Sequence, residues 1–105
     1  MSDCVFCKII ARAIPAKIVY EDDTVIAFDD INPRAPVHVV IAPKKHLEDY
    51  AVFLGKAACE VATKKSVDQS GYRLIINKGK DARQEIAHIH MHLLGGKNLG
   101  AMIQP

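Results

Sequence analysis

From residue 16 onward, short β-branched and aromatic runs alternate with polar breaks. Residues 16–21 and 24–28 are two such runs separated by Asp22 and Asp23, a pattern that predicts a hairpin. Asp29 to Pro36 holds two prolines, an asparagine and an arginine, a loop composition, and Val37 to Ala42 then reads as a third strand stopped by Pro43. At Leu47 the period changes. Leu47, Ala51, Leu54, Ala58 and Val61 recur at spacings of 4, 3, 4 and 3, the stripe of an amphipathic helix. Glu48 and Asp49 fall in its first turn and Lys64 and Lys65 in its last, as the helix dipole favours. Gly55 inside that stripe costs about 1 kcal/mol against alanine. Tyr72 to Asn77 and Ile86 to Leu94 read as a second strand pair, joined by a polar loop over 78–84 and closed by Gly95 and Gly96. Five strands around one long helix, preceded by a short apolar turn that Ile14 and Pro15 break, predict an α+β domain with an antiparallel sheet.

The last of these strands carries the candidate chemistry. Side chains alternate across a strand, so His88, His90 and His92 are expected on one face and Ile89, Met91 and Leu93 on the other. Three readings of the imidazole row are open at this point: polar residues on a solvated face, a metal site built from all three, or nucleophilic catalysis, since imidazole is nucleophilic near neutral pH. The preceding loop, from Asn77 to Glu85, is short and polar, a segment whose backbone N–H groups can converge on phosphate oxygens. His38 lies on another strand, after a loop containing Asp30, whose carboxylate suits ribose hydroxyls.

Composition narrows the class. The 105 residues are enough for one compact domain, expected to span 1–105, and half of them are hydrophobic and a quarter charged, as in globular proteins. A formal charge of +2 is far from that of a binder of nucleic acid polymers, so an anionic ligand must be held by a local site. Neither a signal peptide nor an apolar run long enough to span a membrane is seen, so a soluble, cytoplasmic protein without membrane partners is expected. Three cysteines in a reducing compartment argue against a disulfide scaffold, and Cys59 reads as a small core residue. Cys4 and Cys7 have the C-x₂-C spacing of a zinc knuckle, which supplies only two of the four ligands a structural site needs. By themselves they are equally a redox pair or unliganded thiols.

The residues 88–94, HIHMHLL, carry the His-x-His-x-His-x-x pattern, and the chain resembles the histidine triad (HIT) nucleotide hydrolases and transferases, in particular the Hint-like branch. The resemblance extends over CVFCKII at 4–10, Ile14-Pro15, FDDINPRAPVH at 28–38, IAPKKH at 41–46, GYRLIIN at 71–77 and HLLGG at 92–96. It implies the HIT fold, a five-stranded antiparallel sheet with one long helix and a short N-terminal helix, and a homodimer in which two protomers form a continuous sheet.

The resemblance also implies roles. His90 would attack the α-phosphorus of a purine nucleoside phosphoramidate or related nucleotide, forming a nucleotidyl-histidine that water hydrolyses to a nucleoside monophosphate. His92 would hold a phosphate oxygen, and His92 or His38 would give the leaving amine its proton. Asp30 would take the ribose hydroxyls, Ile31 and Phe28 would line the base, although plain core is the simpler reading of those two, and Asn77, Gln84 and the N–H of Glu85 would hold phosphate. Relatives with the N-terminal cysteine pair bind structural Zn²⁺ through two cysteines and two histidines, which match Cys4, Cys7, His46 and His88 here. Two positions depart from the family pattern: Arg83 stands where glycine is common, and Glu85 where a small hydroxyl residue is common. The segment between His46 and Tyr72 and the C-terminal tail are shorter than usual. Hydrolysis of dinucleoside polyphosphates, and nucleotide binding with little turnover, are the alternative functions.

Overall fold

A computed structural model of the chain describes residues 4–46 and 54–103. The elements run α1 (Val5–Ile10), β1 (Ile18–Glu21), β2 (Val25–Asp29), β3 (Val37–Pro43), α2 (Gly55–Lys64), β4 (Tyr72–Ile75) and β5 (Met91–Gly95). The strands form one antiparallel sheet in the order β1-β2-β3-β5-β4. The hairpin joining β1 and β2 is organised by Asp22, whose carboxylate accepts the N–H groups of Thr24 and Val25 and the Tyr20 hydroxyl. These three donors hold the Asp22 carboxyl well below the usual carboxylate range.

Strand alternation divides the core between the two faces of the sheet. Val25, Ala27, Val39, Ile41, Met91 and Leu93 pack with Leu54, Ala57, Ala58, Val61 and Ala62 of the α2 region. Ile26, Phe28, Val40 and Ala42 point the other way and are covered by Phe6 and Ile9 of α1. His38 is two residues from Val40 on β3, and Val40 is the register partner of His92 on β5, so both histidines lie on the α1 face. Both helices end in the same way. Arg12 (φ 65°) after α1 and Ser66 (φ 59°) after α2 turn left-handed, and the next N–H groups fold back, Ala13 to the Lys8 carbonyl and Val67 to the Ala62 carbonyl.

Several sequence expectations shift. The described part of the long helix begins at Gly55, which therefore stands at its first position rather than inside it, while Leu47, Glu48, Asp49 and Ala51 lie outside the described residues. Leu54, Ala58 and Val61 are buried as the stripe requires, and Lys64 is in the last turn. Cys59 is exposed, not core: one residue past Ala58 it is rotated about 100° off the buried stripe. The fifth strand begins at Met91 rather than at residue 86. Its partners explain why, since β3 pairs only as far as Ile41 with Met91, and β4 only as far as Ile75 with His92. Upstream, side chains take the carbonyls a ladder would have used: the Pro43 carbonyl meets the His88 ring and the His88 carbonyl meets the His90 ring.

Candidate active site and metal-binding cluster

With only His92 in a regular strand, alternation does not by itself place the triad. Hydrogen bonds do, and each one also settles which ring nitrogen carries a proton. His88 is fully buried, and its Nε2 lies 2.7 Å from the Pro43 carbonyl. A carbonyl only accepts, so Nε2 holds the proton and Nδ1 keeps its lone pair. That lone pair faces Cys4 Sγ at 3.6 Å and Cys7 Sγ at 3.7 Å, and the Nδ1 of His46 is 3.3 Å from Cys7 Sγ. The four ligand atoms all lie within 4.8 Å of one another. A tetrahedral zinc with S and N ligands has donor–donor edges of about 3.5 Å, so this set fits the ion. The Pro43 carbonyl is then the outer partner that fixes the ligand's tautomer. Burial holds the His88 imidazole below its usual range, opposed by the Pro43 carbonyl, so it is neutral as a ligand must be.

His90 is also buried, and its Nδ1 donates to the His88 carbonyl at 2.9 Å, which leaves the lone pair on Nε2. Its ring is flanked by His92 at a centroid distance of 4.9 Å and by Phe6 at 4.8 Å.

The His38 ring is set from its other side. The backbone N–H of Arg34 donates to His38 Nδ1 at 3.0 Å, so Nδ1 is the acceptor and Nε2 carries the proton. That proton points at His92 Nδ1, 2.9 Å away, with Asp30 Oδ2 at 3.3 Å as a second acceptor. His92 Nδ1 is thereby an acceptor, and its own proton is on Nε2. Burial, His90 and His38 together push His92 down to about 4, against a weaker upward pull from Asp30, so it is neutral at pH 7. His38 is lowered as well, mainly by burial, with Asp30 opposing and Arg34 adding. The ligand atoms of Asp30, His38 and His92 are spaced closely enough for a metal ion. The donor set does not fit one, because His38 would have to offer the nitrogen that Arg34 has fixed as its N–H.

Around this centre, Phe28 is core, 5% exposed and edge-on to Phe6, whereas Ile31 is 91% exposed, so the core reading fails for Ile31. Asn77 is half-buried beyond the end of β4 and Glu85 is exposed. The 77–85 loop is closed on itself: Arg83 N–H donates to the Lys80 carbonyl, Gln84 N–H to the Gly79 carbonyl, and Gly79 N–H to Gln84 Oε1. Those three N–H groups are therefore spent within the loop, and the Gln84 amide nitrogen braces it further by donating to the Ile86 carbonyl. Arg83 has φ 58°, the left-handed conformation that glycine adopts without strain. Four participants were not singled out from sequence. Three are main-chain groups, the Pro43 and His88 carbonyls and the Arg34 N–H, which leave no mark on side-chain patterns. Phe6, between the two cysteines of the C-x₂-C pair, had a visible signal in its position.

Residues 11–99 match the HIT domain family model. The chain belongs to the HIT family. Among curated relatives of this HIT protein, the purine nucleoside phosphoramidase of Escherichia coli (strain K12) is 42% identical over 111 residues, covering 96% of this chain and 93% of that one. An uncharacterised HIT-like protein of Rickettsia prowazekii is 43% identical over 110 residues, covering 94% and 92%. Among solved structures, a HIT family hydrolase from Clostridium thermocellum superposes with a TM-score of 0.91 at 46% identity, covering 99% of both chains. A histidine triad protein from Clostridium difficile superposes at 0.90 with 40% identity, covering 98% of both. The five-stranded antiparallel sheet with two helices among the described residues is the HIT fold, and the chain is a histidine triad hydrolase. No helix among the described residues is long and apolar enough to cross a membrane.

Proposed function

We propose that this HIT hydrolase cleaves the α-phosphate bond of purine nucleoside phosphoramidates or closely related nucleotides, through a nucleotidyl-histidine intermediate, and releases a nucleoside monophosphate. The tautomer of His90 carries the reading. Its Nδ1–H is held by the His88 carbonyl, so the nucleophilic lone pair is on Nε2 without any base having to remove a proton. In the first half-reaction His90 Nε2 bonds to phosphorus while the phosphorus–nitrogen bond to the leaving group breaks, its electron pair leaving with the amine. His92 presents Nε2–H to the phosphate oxygen or the leaving nitrogen, because His38 occupies its other nitrogen. The negative charge of the bound phosphate favours protonation of the otherwise neutral His38–His92 pair, and the pair gives that proton to the amine. In the second half-reaction water bonds to phosphorus, the bond to His90 breaks, and the pair takes one proton from the water. The net consumption is one water.

In this reading Asp30 holds the ribose hydroxyls, supported by the carboxylate capacity left beside His38 and the Asn32 N–H, and exposed Ile31 with the edge of Phe28 meets the base. Asn77, Gln84 and Glu85 N–H are assigned to phosphate, Gln84 chiefly as the brace of its loop. Cys4, Cys7, His46 and His88 hold a structural Zn²⁺ in this reading, which pins α1 to the sheet and supplies stability, not reaction chemistry. A homodimer is proposed through β4, which ends the strand order among the described residues and leaves Leu74 43% and nearby Ile76 42% exposed. A C-x₂-C pair that is not joined as a disulfide suits a reducing cytoplasm.

The test is His90→Ala, which is expected to abolish adenosine phosphoramidate hydrolysis and to trap no nucleotidylated protein. Undiminished hydrolysis by that variant would sink the proposal. Rates on phosphoramidate and dinucleoside polyphosphate substrates, measured side by side, identify the leaving group.

A further inference from the structure

Three contacts set the His90 ring. One is the hydrogen bond from Nδ1 to the His88 carbonyl, 2.9 Å. The others are ring contacts, with His92 at 4.9 Å and 74° and with Phe6 at 4.8 Å and 76°. A single hydrogen bond anchors Nδ1 but lets the ring plane swing about it, and the direction of the Nε2 lone pair swings with the plane. The flanking rings limit that swing. Phe6 is 5% exposed, meets the His88 ring edge-on at 5.8 Å, and is backed by Phe28 at 5.7 Å. It therefore has a fixed place from which to hold a neighbour.

That place is set by α1. A helix of six residues cannot hold its shape in isolation. Its position comes instead from Phe6 and Ile9 in the apolar cluster and from Cys4 and Cys7, whose sulfurs lie beside His88 and His46. Phe6 sits between those two cysteines in sequence.

We infer that Phe6 is a positioning residue for the nucleophile: its ring holds the His90 imidazole edge-to-face so that Nε2 is aimed at the α-phosphorus, and it ties that aim to the Cys4–Cys7 anchor. The inference rests on the reading of His90 as the nucleophile. It adds a residue that acts through His90 and does not itself touch the reacting atoms.

Phe6→Leu removes the ring and keeps most of the apolar volume, Phe6→Tyr keeps the ring, and Ile26→Val, in the same apolar cluster, gives the size of a pure packing defect. The full chain is used, with metal content measured in each variant. Phe6→Leu is expected to lower kcat on adenosine phosphoramidate by about tenfold or more with KM within about twofold, because aim matters in the transition state and little in binding. The side-chain ¹⁵N NMR signals of His90 are expected to move from one tautomer towards a mixture. Phe6→Tyr is expected to retain kcat within about threefold, and Ile26→Val to retain it at a comparable loss of Tm. A wild-type kcat and unmoved His90 signals in Phe6→Leu overturn the inference, as does an equal loss of kcat in Ile26→Val. A rise in KM alone also overturns it, since the ring would then be touching substrate. If Phe6→Leu does not fold, Phe6→Met replaces it with the same expected outcomes. The NMR readout needs no substrate: an inactive wild type defeats the phosphoramidate reading, whereas His90 signals that do not depend on Phe6 defeat this inference.

Discussion

Two clusters in this protein each combine two histidines with other groups able to ligate a metal. Cys4, Cys7, His46 and His88 form one, and Asp30, His38 and His92 the other, and in each the ligand atoms lie within 4.8 Å of one another. Each contains a buried histidine, His88 or His38. They differ in the main-chain group at the far side of that ring. A carbonyl, from Pro43, faces His88 and leaves the inward nitrogen as a lone pair, which is what a metal requires. An N–H, from Arg34, faces His38 and leaves the inward nitrogen as a proton donor, which is what a proton relay requires. At the buried histidine of each cluster, one backbone group therefore separates a nitrogen able to bind a metal from a nitrogen able to pass on a proton.

The largest expected effect tests the clip. Removing metal with a chelator is expected to lower Tm by about 10 °C or more, since a structural site contributes folding energy directly and a small domain is sensitive to each kcal/mol. His38→Ala should leave that drop intact, whereas His88→Asn should remove it. Metal analysis on protein purified without a histidine tag should find about one zinc per chain in the wild type, and a content below about a tenth would refute the clip.

Next in size is the backbone group itself. Arg34→Pro deletes the N–H that faces His38 while sparing every side chain of the relay. Turnover is expected to fall about tenfold, as the His38 and His92 protons lose their fixed direction. Arg34→Ala keeps the N–H and should stay within about threefold of the wild type. Equal losses in the two variants would show that the Arg34 side chain, not its N–H, is what matters.

Acidification gives a smaller and graded effect. The native state resists protonating His38 and His92, His92 down to about 4, whereas the unfolded chain takes up those protons near 6.5. Between these values the unfolded state binds more protons, so stability falls as pH drops from about 6.5 towards 4. Denaturant titrations at pH 7 and pH 5 measure the slope, and His92→Asn should flatten it. An unchanged slope in that variant would place the titration elsewhere.

The smallest effect is expected at the loop. Arg83 occupies a left-handed conformation without being glycine. Arg83→Gly relieves that strain but adds freedom to the unfolded chain, so the net change in stability should be within about 1 kcal/mol. A loss well beyond that would mean that the arginine side chain holds the loop closed.

Much of this was legible from the chain. The hairpin at Asp22 and Asp23, the strand ending at Pro43, the buried Leu54, Ala58 and Val61 stripe, and the C-x₂-C pair all follow from local chemistry, because turn residues, proline and side-chain periodicity act over a few positions. The start of β5 did not follow. Residues 86–90 have the right alternation for a strand, but pairing ends where β4 stops and where the Pro43 carbonyl of β3 meets the His88 ring, and that is a fact about other parts of the chain. Cys59 was misplaced by a single step around α2. For Ile31, hydrophobicity alone did not distinguish core from surface.

By itself the sequence determined that the protein would have an antiparallel sheet, a helix across one face, a histidine row and a cysteine pair. These depend on which residues stand at which spacing. Tertiary structure decided what the histidines are. The proton on an imidazole goes to whichever nitrogen faces an acceptor, and here the groups that settle it are the Pro43 carbonyl, the His88 carbonyl and the Arg34 N–H. His88 and Arg34 each carry both a backbone donor and a backbone acceptor and Pro43 an acceptor alone, so only folding could decide which group each ring would meet.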